Sequence, residues 1–599
     1  MRNVLLCLLT AGLLTCCTKP KERIPPSMSM ETSSGKMIVY QMMPRLFGNK
    51  NTTNKRFGSK EENGVGKFND INAAALGGIK GMGVTHVWYT GIIEHTSLTD
   101  YTAYGILLDD PDIVKGIAGS PYAIKDYYDV DPDLAVDVLN RMAEFEQLVE
   151  RTHDQGLKVI IDFVPNHVAR AYKSDAKPPG VIDLGAKDDT SVSFSPNNNF
   201  YYLPGQSFTP PSDLRTASVE GFGKKDGNFE ETPAKVTGND QFTASPKLTD
   251  WYETVKLNYG VDIQNGRKTY FDPVPDTWMK MKDILLFWTD KKVDGFRCDM
   301  VEMVPVEFWS WVIPQIKVVN PDIVFVAEVY NPSEYRNYID NGKFNYLYDK
   351  VQLYDSLRLL ISGQRSTTGI DQIQQSNSGI NGNMLHFLEN HDEQRIASNF
   401  FAGDPWKAAP AMVISATIDR GPVMIYFGQE FGEPGLGNEG FQEDDGRTTI
   451  YDYWGVPQHQ KWMNNGKFNG ELLSLEEKQL HQFYTDLLNL AASSPAIVQG
   501  DYIDLTEYNI NAGNFSEKIH AFLRYSGEER LLMVTNFSQV NQDIKVQIPK
   551  EAVSALSLDP NGIYIARDLL WREVEVGLSK DFMFEMKCKP YSSFIFKIK

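Results

Sequence analysis

The 599-residue chain has little cysteine: five residues, three of them within the first 17. Only Cys298 and Cys588 remain in the body, so no disulfide framework is expected, and both read as reduced and buried. The chain also lacks a basic excess. Its 59 Lys and Arg against 78 Asp and Glu leave a net charge of −19, which argues against a nucleic-acid partner. Past residue 14 no apolar run approaches the about 20 residues that span a bilayer. No internal repeat stands out. What is plentiful is aromatic: 12% of residues, with ten Trp and 28 Tyr. Such faces suit stacking on sugar rings, although an aromatic-rich core explains the same composition.

The first residues read as an address. Arg2 precedes a short apolar run, Val4 to Leu14, in the layout of a secretory signal. Leu14-Thr15-Cys16-Cys17 resembles a bacterial lipobox, with Cys17 favoured over Cys16 as the lipidated residue; a plain signal peptide is the alternative. Residues 1–17 are thus expected to be a lipoprotein signal and 18–35 a flexible tether. The expected location is an exported, membrane-anchored bacterial lipoprotein. The run Thr18-Lys19-Pro20-Lys21, which is not acidic, favours a periplasm-facing position over the cell surface.

From Lys36 short β-branched runs alternate with amphipathic helical stretches, the signature of parallel βαβ units. The runs are Ile38–Tyr40, Val84–Tyr89, Val159–Val164, Val293–Arg297, Ile323–Ala327, Met384–Phe387 and Val423–Phe427. Just past three of them stand Asp299, Glu328 and Asp392, separated by 29 and 64 residues. An eight-unit barrel of about 250 residues uses roughly 31 per unit, so these gaps fit one unit and then two. His167 to Asp299 is 132 residues, far more than one unit needs. The chain therefore divides into a first barrel part (36–168), an inserted domain B after strand 3 (169–269), a second barrel part (270–494) and an antiparallel C-terminal β-domain (495–599). The predicted fold class is α/β: a (β/α)8 TIM barrel with that insertion and a C-terminal β-sandwich.

Strand ends of such a barrel share one mouth, where active sites form. Acids gathered there repel unless paired or protonated, which lets one serve as an acid while another stays ionised. Arg297 falls on the same strand face as Asp299 and can keep it charged. A single acid after a strand is more often a helix cap; the weight lies in several falling in order.

Those signals resemble the α-amylase family of glycoside hydrolases. The carriers are Asp162-Phe163-Val164-Pro165-Asn166-His167, Gly295-Phe296-Arg297-Cys298-Asp299, Val326-Ala327-Glu328-Val329, Phe387-Leu388-Glu389-Asn390-His391-Asp392 and Gly421 to Glu430. Ser120-Pro121-Tyr122 and Asp126-Tyr127-Tyr128 resemble the loop after the second strand. The resemblance implies Asp299 as nucleophile, Glu328 as acid and then base, and Asp392 as stabiliser of the transition state. It implies Arg297 as the holder of Asp299, His167 and His391 as sugar ligands, and Tyr122 as a stacking platform. Asp162 reads as a structural partner near Arg297.

Three departures qualify this. Glu302 stands where a base commonly greets the leaving-side sugar, which puts long-starch endo-action in doubt. Asn166 matches a calcium ligand, yet a hard cation wants six to eight oxygens and the companions are not visible, so calcium stays open. Gly91 replaces a common proline, and Lys256-Leu257-Asn258 resembles part of a neopullulanase motif. The expected function is retaining hydrolysis of α-glucosidic bonds, mainly α-1,4 and with α-1,6 open, in starch-derived glucans or maltooligosaccharides. The alternatives are a 4-α-glucanotransferase and a catalytically inactive glycan-binding lipoprotein.

Overall fold

In a computed structural model of the chain, residues 35–211, 225–441, 444–571 and 574–599 are described. The expected signal, the cysteines expected to carry a lipid and nearly all of the expected tether lie outside them. Among the described residues no helix is long and apolar enough to cross a membrane.

Eight parallel strands close a barrel: β1 (Ile38–Met42), β2 (His86–Tyr89), β3 (Lys158–Phe163), β4 (Gly295–Cys298), β5 (Val324–Ala327), β6 (Tyr346–Tyr348), β7 (Met384–Phe387) and β8 (Val423–Tyr426). Each pairs with its sequence neighbours, and β8 closes on β1. The strand period of two divides the residues. Ile38, Tyr40 and Met42 face the surrounding helices, while Val39, Trp88, Ile160, Val326, Leu385, Phe387 and Met424 fill the barrel interior. Continuing the inward face of β4 and β5 past the strand ends leads from apolar residues to Arg297, Asp299 and Glu328 at the mouth.

Gly295 opens β4 for a steric reason. A Cβ there would lie 2.8 Å from the Val324 carbonyl oxygen and 3.2 Å from Ile160 Cγ1. Gly91, after β2, has φ +78°. Proline is locked near −65°, so the common proline cannot occupy this backbone.

The sequence reading missed β6, three residues long and flanked by Asn345 and Asp349. The segment after β2 folds back as an antiparallel pair, Ile93–His95 with Ile124–Val130. Among the described residues the excursion after β3 carries three small two-stranded sheets: His167–Ala169 with Thr254–Lys256, Tyr202–Leu203 with Ala234–Lys235, and Val261–Asp262 with Lys268–Thr269.

The tail adds β9 (Asp501–Asp504), β10 (Ile519–Ser526), β11 (Glu529–Asn536), β12 (Gln542–Gln547), β13 (Ile565–Asp568), β14 (Glu575–Gly577), β15 (Met583–Cys588) and β16 (Ser593–Ile598). One sheet runs β9-β10-β11-β16-β13-β14, and β12 pairs with β15. The two share a core of Leu523, Leu532, Val546, Phe584 and Phe596, which makes a sandwich. The expected hairpin at Ile519–Asn536 is there. Short helices at Pro495–Val498, Thr506–Asn511 and Lys550–Ala555 interrupt a tail that reads as all strand. Cys298 and Cys588 are free and buried.

Gly295→Ala is expected to overpack β4 against β5, costing about 1–3 kcal/mol. A thermal midpoint equal to that of the parent protein would contradict the steric account.

Candidate active site

The mouth is built around Arg297, which is 1% exposed. Its Nη1 donates to Asp299 Oδ1 at 2.7 Å and reaches Asp162 Oδ1 at 3.5 Å. Its Nη2 lies 2.8 Å from Glu328 Oε1. The rings of Trp88, Tyr122 and Tyr348 stand 5.4–5.5 Å from the guanidinium carbon, so aromatic faces surround the cation. Asp162 also accepts from Trp88 Nε1 at 3.0 Å and from the Tyr122 hydroxyl at 3.3 Å. It is thus the structural partner that the sequence suggests.

Glu328, 3% exposed, accepts from the Tyr330 hydroxyl at 2.6 Å and from the Met300 backbone N–H at 2.8 Å. Burial pushes its carboxyl up, and the charges of Asp299 and Asp392 add to this against Arg297; the group sits at about 7. Burial also raises Asp299, with Arg297 pulling the other way. Asp392 differs. Its side chain is 39% exposed, and His391, helped by Arg297 and Arg447, outweighs the effect of burial and holds it below its ordinary value. Neighbouring carboxyls are thereby pushed apart in acidity.

His391 ties the seventh strand end to the first two. Its Nε2 lies 2.6 Å from the Tyr122 hydroxyl and 3.1 Å from Asp392 Oδ2, and its Nδ1 lies 2.8 Å from Gln41 Nε2. Tyr122 stacks on the His391 ring at 5.1 Å. Burial lowers His167 to about 3, so it is neutral. Its ring lies 5.4 Å from that of Trp251.

Tyr330, Trp88, Gln41 and Arg447 were not read as site residues from sequence. Arg447 Nε donates to the Asp392 backbone carbonyl at 2.6 Å. Glu302, which stands where a base commonly greets the leaving-side sugar, is engaged with backbone. Its two oxygens accept the backbone N–H groups of Tyr330 (2.7 Å) and Asn331 (3.0 Å), so it fixes the loop after β5.

The calcium left open at Asn166 does not fit. Lys256 Nζ donates to Asn166 Oδ1, lies 2.9 Å from Asp240 Oδ1 and reaches the Met303 carbonyl at 3.1 Å. Three acceptors match the three protons of an ammonium. Burial lowers the pKa of the Lys256 ammonium, and Asp240 opposes that. Lys256 pairs across the small sheet with His167, so this internal cation pins the excursion to the loops after β3 and β4. Elsewhere, Glu94, Asp129 and Asp175 bring carboxylate oxygens within 4.8 Å of one another, and Arg141 already neutralises Asp129 there.

If the ammonium occupies the cation position at Asn166, removing calcium with a chelator leaves the melting temperature tied to this cage unchanged. Lys256→Met then costs about 3–5 kcal/mol, the range for unmatching a buried ion pair. A chelator-sensitive parent protein together with a stable Lys256→Met variant would refute the assignment.

The family model for the α-amylase catalytic domain matches residues 52–453. "Alpha-amylase 3" of Dictyoglomus thermophilum is 24% identical over 412 residues, covering 65% of this chain and 70% of that protein. A cyclomaltodextrin glucanotransferase of Geobacillus stearothermophilus is 23% identical over 523 residues, covering 84% and 59%. The solved α-amylase from H. orenii has a TM-score of 0.60 at 19% identity, covering 95% of this chain and all of that one. With the barrel, the strand-end acids and this match together, the chain belongs to the α-amylase family of glycoside hydrolases.

Proposed function

We propose that the protein hydrolyses α-glucosidic bonds of starch-derived glucans or maltooligosaccharides with retention of configuration, mainly at α-1,4 linkages. The observation that carries this is one buried guanidinium shared by two strand-end carboxyls, Asp299 and Glu328. Sharing suits the roughly 5–5.5 Å separation of retaining pairs.

The Asp299 carboxylate attacks the anomeric carbon as the bond to the leaving oxygen breaks, and the Glu328 proton passes to that oxygen. Glu328, now charged, takes a proton from water. The water oxygen attacks the anomeric carbon and releases Asp299. Asp392, kept ionised by His391, faces the developing positive charge on the sugar. Tyr122 and His391 offer a stacked pair of rings at the same mouth. The complete set of acids and Arg297 favours a working enzyme over an inactive glycan binder.

Asp299→Asn is expected to lower kcat on maltoheptaose by a factor on the order of 10^4 or more. Retained turnover would sink the nucleophile assignment. Products longer than maltoheptaose, made by the unaltered protein, would favour transfer to a sugar hydroxyl over hydrolysis.

Activity requires Asp299 ionised and Glu328 protonated, so the profile against pH is bell-shaped and falls as pH rises through about 7. The Tyr330 hydroxyl favours the charged form of Glu328. Tyr330→Phe therefore raises the Glu328 value and moves the alkaline limb to higher pH. A limb that stays put or moves down in kcat/KM profiles would contradict this.

A further inference from the structure

A cavity of about 470 Å³ opens outside the barrel, and none of the strand-end acids lines it. Three parts of the chain line it: Trp406 from the turn Pro405–Ala408 after β7, the helix Leu475–Ser493 after β8, and Leu570 and Trp571 just past β13 in the tail. The helix starts firmly, with a capping box in which Ser474 and Glu477 satisfy each other's backbone N–H. From it Gln479, Gln482, Phe483 and Asp486 project on one face.

The aromatic residues form a platform. Phe483 and Trp571 lie nearly parallel, 13° apart with centroids at 5.8 Å, and Trp406 closes the group at 5.6 and 5.9 Å. Phe483 is buried, whereas Trp571 is 40% exposed. The indole N–H of Trp571 is already donated to the Ser593 carbonyl at 2.9 Å. What it presents to solvent is therefore ring surface and not its polar tip. Around that surface stand two exposed amides and a carboxylate, with Gln482 Nε2 donating to Asp486 Oδ1 at 3.1 Å.

We infer that this cavity is a second carbohydrate site, one that holds a glucan chain without cleaving it. The occupant follows from the chemistry. A pyranose offers an apolar C–H face and a rim of hydroxyls that both donate and accept. The platform offers ring faces, and the rim offers amide donors and acceptors beside a carboxylate. A protein partner or second copy of the chain would be met best by a broad apolar surface, and here the rim is Gln, Gln and Asp. The volume falls in the about 300–1,000 Å³ range of small-molecule sites, enough for a short stretch of chain. No acid pair flanks it, so binding there brings polymer to the enzyme and leaves chemistry to the mouth. The inference rests on the α-glucan reading above.

The test uses the full-length protein with Asp299→Asn, so that polymer persists. Retardation in native gels containing amylopectin is compared for that variant alone and with Trp571→Ala, Trp571→Tyr or Gln482→Ala added. Trp571→Ala should weaken retention at least about five-fold, Trp571→Tyr should largely restore it, and Gln482→Ala should fall between. In the otherwise unaltered protein, Trp571→Ala should leave kcat/KM on a p-nitrophenyl maltooligoside within about two-fold. Unchanged retention in all three variants overturns the second site while turnover of the short substrate leaves the α-glucan reading standing. If Trp571→Ala lowers the melting temperature, exposed Gln482 and the tyrosine variant decide. A change in sedimentation state without a change in retention assigns the face to self-association and also overturns the proposal.

Discussion

A buried charge must be matched, and at this barrel mouth one guanidinium has to match several. Arg297 is nearly sealed from water, and it touches Asp299, Glu328 and Asp162 at once. One positive charge cannot neutralise three carboxyls, so at least one proton is retained in the cluster near neutral pH. Glu328 is the group that keeps it, because burial and the charges of Asp299 and Asp392 raise it to about 7, whereas Asp392 has His391 of its own. Division of labour among otherwise similar acids thus follows from a shortage of positive charge. A lysine could not replace Arg297. Its point charge cannot serve two carboxylates through separate arms of a rigid fork.

The mouth is then held from outside by groups that act on backbone. Lys256 joins the loop after β3, through Asn166, to the loop after β4, through the Met303 carbonyl. Glu302, on that same loop, clamps the backbone after β5. Arg447 holds the carbonyl of Asp392 after β7. Loops that carry catalytic groups are otherwise the mobile parts of a barrel. Here each is tied by a charged side chain to its neighbour, so the distances between acids depend on these ties as much as on the strands.

Much of this was legible in the sequence where a pattern repeats. Seven of the eight barrel strands announce themselves as short apolar runs, six of them with β-branched residues. The 29- and 64-residue gaps place Asp299, Glu328 and Asp392 at strand ends. The structure gathers Tyr122, Arg297 and His391 with them, and sets His167 beside Asn166. What escaped had no period to betray it. Tyr346-Leu347-Tyr348 is too short, and its flanks too polar, to read as a strand. Lys256 lies 90 residues from Asn166, so only the fold shows that its ammonium takes up the oxygen at which the sequence leaves calcium open. The clamp that Glu302 makes on the backbone after β5 escaped because identity says what a side chain carries and not where it turns. Trp571 and Phe483, 88 residues apart in sequence, face each other only because the tail packs on the barrel.

The balance on Glu328 has a consequence for the second half of the reaction. Three groups favour its charged form: Arg297, the Tyr330 hydroxyl and the N–H of Met300. Met300 adopts φ +44°, uncommon for a residue with a side chain, and that turn aims the N–H at the carboxyl. Burial and the charge of Asp299 oppose them and keep the proton on. In the proposed reaction Asp299 loses its charge when it becomes bonded to the sugar, and its share of the opposition vanishes. Arg297, released from one of its claims, then serves Glu328 more fully. Both changes lower the Glu328 value, so the residue that gave its proton stays ionised and is ready to take one from water. The switch from acid to base needs no movement of the side chain. It follows from where Asp299 puts its charge.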